Sequence, residues 1–318
     1  MKIVDPSFEV IEEYFKRQDV LSQIERCGRI CYKSEDRITQ DSAVPFIQGI
    51  IRRGHESVLE MAAFVYEVAV DTESTMARFF ERNPRFFNVD KLDRRRYLLS
   101  ANARAYRDMF REGQDLKVMK ALILDLHRRW PVLFEDLIPK HGLVPQEGIK
   151  IRLLAPEEID ELPIEYRIKH RYLLVRFVIN RAVSHELVRH RVASYLQESQ
   201  RYCRYGEDKF GGGVTFIRPI FYPENTPEYK IWKEACRKAE EAYLELLKTS
   251  SPQAARTVLP NSCKTEIVTF ANLLEWLHIL KLRTSRAADP SMRQIMLMLL
   301  EDLKQRFPEV FGSLVVED

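Results

Sequence analysis

A chain of 318 residues has room for one large domain or two average ones, and an apolar fraction of 45% is enough to bury a substantial core. A formal charge of +3 is too small over this length for whole-chain electrostatics to announce a nucleic-acid binder, and five cysteines without a Cys-x-x-Cys pair argue against a disulfide framework or a zinc site. The opening Met1-Lys2-Ile3-Val4-Asp5-Pro6 lacks an apolar signal core, and no uncharged run approaches the roughly 20 residues of a membrane span, so free thiols, no metal and a cytoplasmic location are expected.

In chain order, Asp19 to Ile30 reads as a helix with Val20, Leu21, Ile24, Cys27 and Cys31 on one side. Cys27 and Cys31 lie one helical turn apart, which is core packing rather than metal-ligand spacing. A second amphipathic helix carries Phe46, Ile47, Ile50 and Ile51 and stops at Gly54. The corner Gly54-His55-Glu56-Ser57 follows, and Ala62 to Val70 alternates as a strand. From Glu73 to Arg167 the character is charged helix, clearest at Arg94 to Arg96, Ala101 to Arg107 and Leu116 to Leu133; its basic runs read as solvated faces. Strand character returns at Tyr172 to Ile179, and a short helix from Arg181 to Val188 leads into the polar stretch Arg189 to Tyr202.

Beyond it, Gly211-Gly212-Gly213 reads as a turn. Thr226-Pro227, Ser251-Pro252 and Asp289-Pro290 each start a helix by a capping residue followed by proline. A helix from about Phe270 to Leu282 carries Asn272 and His278 and leads to Arg283, and Met292, Ile295, Met296, Leu299 and Leu303 form a core stripe. The expected fold is α+β: a helix-rich single domain over 1–318 around a small antiparallel sheet, with a helical insertion at about 75–168 between two paired strands.

The stretch Arg189 to Tyr202 crowds arginines, a histidine, serines, glutamines and a carboxylate into a segment without Gly or Pro. Guanidinium forks match phosphate or carboxylate, and Ser and Gln add neutral groups that orient a ligand. Such a composition suits a concave anion site and equally a basic, aromatic-interleaved surface for nucleic acid. The isolated polar residues His55, Glu56, Ser57, Arg256 and Arg283 in apolar surroundings favour the concave site, assembled from several elements.

Arg189-His190-Arg191, seven residues, then Ser199-Gln200-Arg201 resembles the signature of the flavin-dependent thymidylate synthases. Gly54-His55-Glu56-Ser57, Arg256-Thr257-Val258-Leu259-Pro260 and the segment from Asn272 through His278 to Arg283 are similar to further blocks of that family. The resemblance implies an enzyme that methylates dUMP to dTMP, with 5,10-methylenetetrahydrofolate as carbon donor, FAD as redox mediator and NADPH as reductant, working as a homotetramer with intersubunit active sites. It implies no protein nucleophile, hydride being delivered from reduced flavin. Carried onto matching positions, Ser57, Arg189, His190, Arg191, Gln197, Asn272 and His278 line the flavin. Glu186, Arg189, Gln197, Glu198, Ser199, Gln200, Arg201, Arg256 and Arg283 hold dUMP, with Arg283 also the catalytic group that stabilises charge on the uracil ring. Ser199 is then an orienting residue and Cys203 a bystander. Two positions depart from the pattern: Glu186 stands where glutamine is usual, and Leu274 where many members carry arginine. Nucleic acid and membrane are not expected partners; a helical nucleic-acid binder, and a flavoprotein with another nucleotide substrate, are the alternatives.

Overall fold

The computed structural model describes residues 1–316. Its strands are β1 Lys2–Val4, β2 Ser7–Ile11, β3 Ala63–Val70, β4 Asn88–Lys91, β5 Arg96–Asn102, β6 Ile149–Leu153, β7 Tyr172–Asn180, β8 Ser194–Gln197, β9 Thr215–Ile217 and β10 Lys264–Asn272. The chain divides into two compact units, one holding residues 1–11, 28–36 and everything from 174 onward, the other holding 12–27 and 37–173.

The first unit is built on the sheet β2-β7-β10-β8. β2 runs antiparallel to β7 and β8 antiparallel to β10, while β1 and β9 form a separate parallel pair. From Thr265 to Asn272 every residue of β10 is buried. The helix Leu273–Arg283 buries Trp276, Ile279 and Leu280, and the helix Pro290–Arg306 buries the stripe Met292, Ile295, Met296, Leu299 and Leu303, as the spacing predicts. The three helices predicted from a capping residue and proline are present: Thr226, Ser251 and Asp289 each accept a backbone N–H from the first turn.

The second unit is built on a different sheet, β4-β5-β3-β6, antiparallel throughout. The predicted pairing of the strand at Ala62–Val70 with that at Tyr172–Ile179 therefore fails. β3 pairs with β5 and β6, and both lie inside the segment predicted to be helical. The sequence hides β5 because Tyr97 to Ala101 are all buried, so no period-two alternation marks them as strand. The segment does carry helices, at Ala103–Glu112 and Lys117–Arg129 among others. The basic run behaves as a solvated face, with Arg94 on Glu73 at 2.6 Å and Arg96 on Asp93 at 2.5 Å. Gly54 ends the helix Ala43–Arg52 region with φ +69°, the left-handed geometry of a helix stop.

Three strands pass into helices through the same joint. Asn102, Asn180 and Asn272 end β5, β7 and β10 with φ near −77° and ψ of 163°, 165° and 167°, and each side chain accepts the N–H three residues on. Helix follows strand without an intervening loop residue.

In the second unit, fully buried His170 lies between Ser100, 2.8 Å from its Nδ1, and Asp90, 3.0 Å from its Nε2. Burial pushes the imidazole down to about 4, against the opposing pull of Asp90. The unfolded chain takes up this proton near the ordinary 6.5 and the folded chain only near 4, so stability is complete above 6.5 and falls as pH drops between the two. The loss attributable to this residue is expected to reach about 3 kcal/mol at pH 4. Thermal midpoints followed from pH 7.5 downward test this, and His170→Gln flattens that part of the profile.

Candidate functional site

The first unit assembles a cleft of about 580 Å³ from two segments far apart in sequence. One wall follows the helix Arg181–Leu187, which Asn180 caps by accepting the Val183 N–H at 2.8 Å. Past the helix the chain turns tightly: His190 N–H donates to the Leu187 carbonyl and Ala193 N–H to the His190 carbonyl, both at 3.2 Å. The Tyr195 hydroxyl, one residue into β8, ties the turn down by donating to the carbonyls of Leu187 at 2.8 Å and His190 at 2.9 Å. As a result Arg189 and Arg191 are exposed at the cleft while His190 between them is buried.

The other wall is the helix Leu273–Arg283. Glu275, His278 and Leu282 follow one another at three- and four-residue steps, so they share a face, and all three line the cleft with Arg283. The walls meet at a defined contact. Arg283 donates through Nε to His190 Nε2 at 3.0 Å, through Nη1 to Glu186 Oε2 at 2.9 Å, and through Nη2 to the Glu186 carbonyl at 3.2 Å. The His190 and His278 rings meet edge to face, 5.9 Å between centroids. Burial, then the Arg283 charge, then His278 push the His190 imidazole down to about 4. A neutral imidazole thus sits among cations. Burial also raises the Glu275 carboxyl.

Of the site residues predicted from sequence, Arg189, His190, Arg191, His278 and Arg283 line this one cleft. Glu186 sits behind Arg283 as its counter-ion. Asn272 spends its side-chain oxygen on the Glu275 N–H as helix cap, and Gln197 donates to Ser184 Oγ at 2.9 Å and Thr265 Oγ1 at 3.1 Å. Ser57 belongs to the second unit, exposed on the 3-10 turn Glu56–Met61.

Glu198 departs from its expected role. Its side chain is 1% exposed and turned inward, with Oε1 accepting from the Tyr205 hydroxyl and Oε2 from Lys264 Nζ, both at 2.8 Å, so the carboxylate is not offered to a ligand. Glu266 beside it carries Lys33, Lys264 and Arg176. Although burial works to raise its pKa, the two lysines hold the Glu266 carboxyl down at about 2. The inward turn of Glu198 follows from strand alternation continuing past β8: Leu196, Glu198 and Gln200 are buried, whereas Gln197 and Ser199 are half-buried.

Past Glu198, Ser199 anchors its N–H on the Cys31 carbonyl at 2.9 Å, and exposed Arg201 donates to Gln253 Oε1 at 3.1 Å, one turn before Arg256. A further arginine joins this group. Arg181 is half-buried, and its guanidinium has no ion-pair or hydrogen-bond partner among the described residues. Burial foremost, with Arg256 adding to it, holds its pKa below the ordinary arginine value. A half-buried cation without an ion-pair partner, close enough to Arg256 to feel its charge, is a place for an anion. Arg181 belongs to no motif of the sequence; the strand ending in Asn180 immediately before it, a cap joint, is the signal that places it at a helix N-terminus.

Compared with known proteins, residues 167–309 match the family model "Thymidylate synthase complementing protein". Over these residues the chain is similar to that family. Similar proteins include a flavin-dependent thymidylate synthase of Corynebacterium efficiens, 37% identical over 150 residues that make up 44% of this chain and 60% of that protein. One of Pyrococcus abyssi is 35% identical over 128 residues, 40% of this chain and 52% of that protein. One of Geobacter sulfurreducens is 34% identical over 134 residues, 42% and 56% of the two chains. The matched region spans between about half and three fifths of these relatives.

Proposed function

We propose that this chain is a flavin-dependent thymidylate synthase: it binds FAD and methylates dUMP to dTMP, taking the carbon from 5,10-methylenetetrahydrofolate and reducing equivalents from NADPH, as a cytoplasmic homotetramer. The observation that carries the reading is the contact at 3.0 Å between His190 and Arg283, residues 93 apart in sequence, in a cleft flanked by Arg189 and Arg191. The similar proteins, each named as a flavin-dependent thymidylate synthase, support it.

The residues fit an anionic, heteroaromatic cofactor. Arg189 and Arg191 have no ion-pair partner among the described residues and can neutralise phosphates, while His190 and His278 present ring surfaces, and the cleft volume is that of a small-molecule site. When bound, the flavin supplies the hydride chemistry. The protein's part is positional and electrostatic. Arg201, Arg256 and Arg181 receive the nucleotide phosphate, Ser199 orients the nucleotide, and Arg283 offers N–H donors where negative charge develops on the pyrimidine. Gln197 and Asn272 complete the flavin surroundings. No side chain in this scheme acts as nucleophile.

The test is the absorbance spectrum of purified protein before and after dUMP is added, together with release of tritium from 5-labelled dUMP. Flavin bands that shift with dUMP, and release that requires both folate and NADPH, are expected; colourless protein that FAD cannot reconstitute sinks the reading. Within it, Arg283→Ala is expected to lower turnover on the order of 10²–10³-fold while keeping most bound flavin, and His190→Ala to lose flavin. Equal flavin loss in both variants contradicts this division of roles.

A further inference from the structure

Arg283 does more than face a ligand. A guanidinium has five N–H groups, and in this protein three are engaged: Nε–H on His190, one Nη1–H on the Glu186 carboxylate, and one Nη2–H on the Glu186 carbonyl. One N–H on each terminal nitrogen remains. Arginine can only donate, so Nε2 of His190 must present its lone pair, and the neutral ring must then carry its proton on Nδ1. Glu186 fixes this arrangement twice over, from side chain and backbone, at the end of the helix Arg181–Leu187. A glutamine or alanine would leave the backbone contact in place, but only a carboxylate also supplies a counter-charge at 2.9 Å.

We propose that Glu186 is a positioning residue, which holds Arg283 against His190 so that His190 stays a neutral, Nδ1-protonated donor and two Arg283 N–H groups stay free for a ligand in the cleft. The role assigned to the ligand rests on the flavin and nucleotide reading above; the tautomer does not. On this view the Glu186 carboxylate serves the arginine and not the nucleotide. The charged and titratable groups around the ring are Arg283 and His278 on the opposite helix, Arg189 and Arg191 beside it in sequence, and Glu275 on the cleft wall. The low pKa of His190 agrees with the geometry.

The experiment is nitrogen NMR of ligand-free protein labelled at its histidine rings, with His190 assigned by comparison with His190→Gln. In the wild type a single neutral form, protonated at Nδ1, is expected at about pH 7 and still at about pH 5.5, below the ordinary histidine value of about 6.5. Glu186→Ala loosens Arg283, so the ring is expected to exchange between tautomers and to titrate nearer to that ordinary value. Glu186→Gln, whose amide oxygen can accept from Nη1, restores the wild-type tautomer, and Arg283→Met reproduces the alanine variant. Wild-type His190 protonated at Nε2, or a Glu186→Ala spectrum identical to wild type at His190, overturns the proposal. Because no ligand is present, either result leaves the flavin assignment to be decided separately by the absorbance bands.

Discussion

Glu198→Leu is expected to destabilise the protein by about 3–5 kcal/mol, the usual consequence of removing one partner from a buried ion group. Glu198 accepts from Tyr205, Lys264 and the backbone N–H of Glu266, and Lys33 lies 3.7 Å away. Leucine leaves the two lysines facing Glu266 alone and the Tyr205 hydroxyl without its acceptor. Lys33 also sits at φ +49°, a left-handed backbone that a side chain seldom adopts, so its placement depends on what it reaches. Glu198→Gln keeps an acceptor for Tyr205 and is expected to lose roughly half as much, since hydrogen bonds to charged groups are worth about 1.5–3 kcal/mol. Urea midpoints of the two variants check the ranking, and equal, small losses would show the cluster to be solvated. Because Ser199 and Arg201 follow directly in the chain, the same variants are expected to weaken dUMP protection against thermal unfolding by more than their stability loss explains.

Arg107→Met in the second unit should be comparably severe, about 3–5 kcal/mol. The Arg107 side chain is fully buried, bridges Glu56 and Asp136, and donates to the Leu133 carbonyl. Methionine fills the space but leaves that carbonyl and part of Glu56 without a donor. Glu56 is held down at about 2, by Arg111 first and by Arg107 next, so the folded form keeps it ionised. Its stabilising contribution is present above about 4.5 and disappears as pH falls toward 2. Glu56 belongs to the corner that also carries Ser57, so the loss should be visible as increased exchange of the backbone amides from His55 to Met61. Protection there unchanged in Arg107→Met would show that Arg111 alone holds the corner.

Local chemistry was legible in the sequence wherever a short-range rule governs it. Thr226-Pro227, Ser251-Pro252 and Asp289-Pro290 mark true helix starts because cap and proline act within one turn. Long-range pairing was not. β3 and β7 both read as strands, yet nothing in either reveals that they belong to different sheets. β5 and β10 are buried along nearly their whole length, which erases alternation, so the helix expected from about Phe270 begins only at Leu273, after β10 ends. At the candidate site, Arg189, His190, Arg191, His278 and Arg283 line one cleft. The direction of a side chain is another matter: Glu198 stands inside a polar motif but points to the core, and Arg181 lies outside every motif while keeping an unpaired charge.

The asparagine joints at Asn180 and Asn272 have a mechanical consequence. Both cleft walls descend from helices that leave neighbouring strands, β7 and β10, with no slack between strand and helix. Hydrogen-bonded strands keep a spacing of about 4.7–4.9 Å, so the sheet acts as a gauge block that presets the gap into which a ligand must slide. A gap held in this way surrenders little conformational freedom when it is filled. Lengthening either joint by a single glycine would turn the gauge into a hinge, and affinity would fall with every contacting side chain still in place.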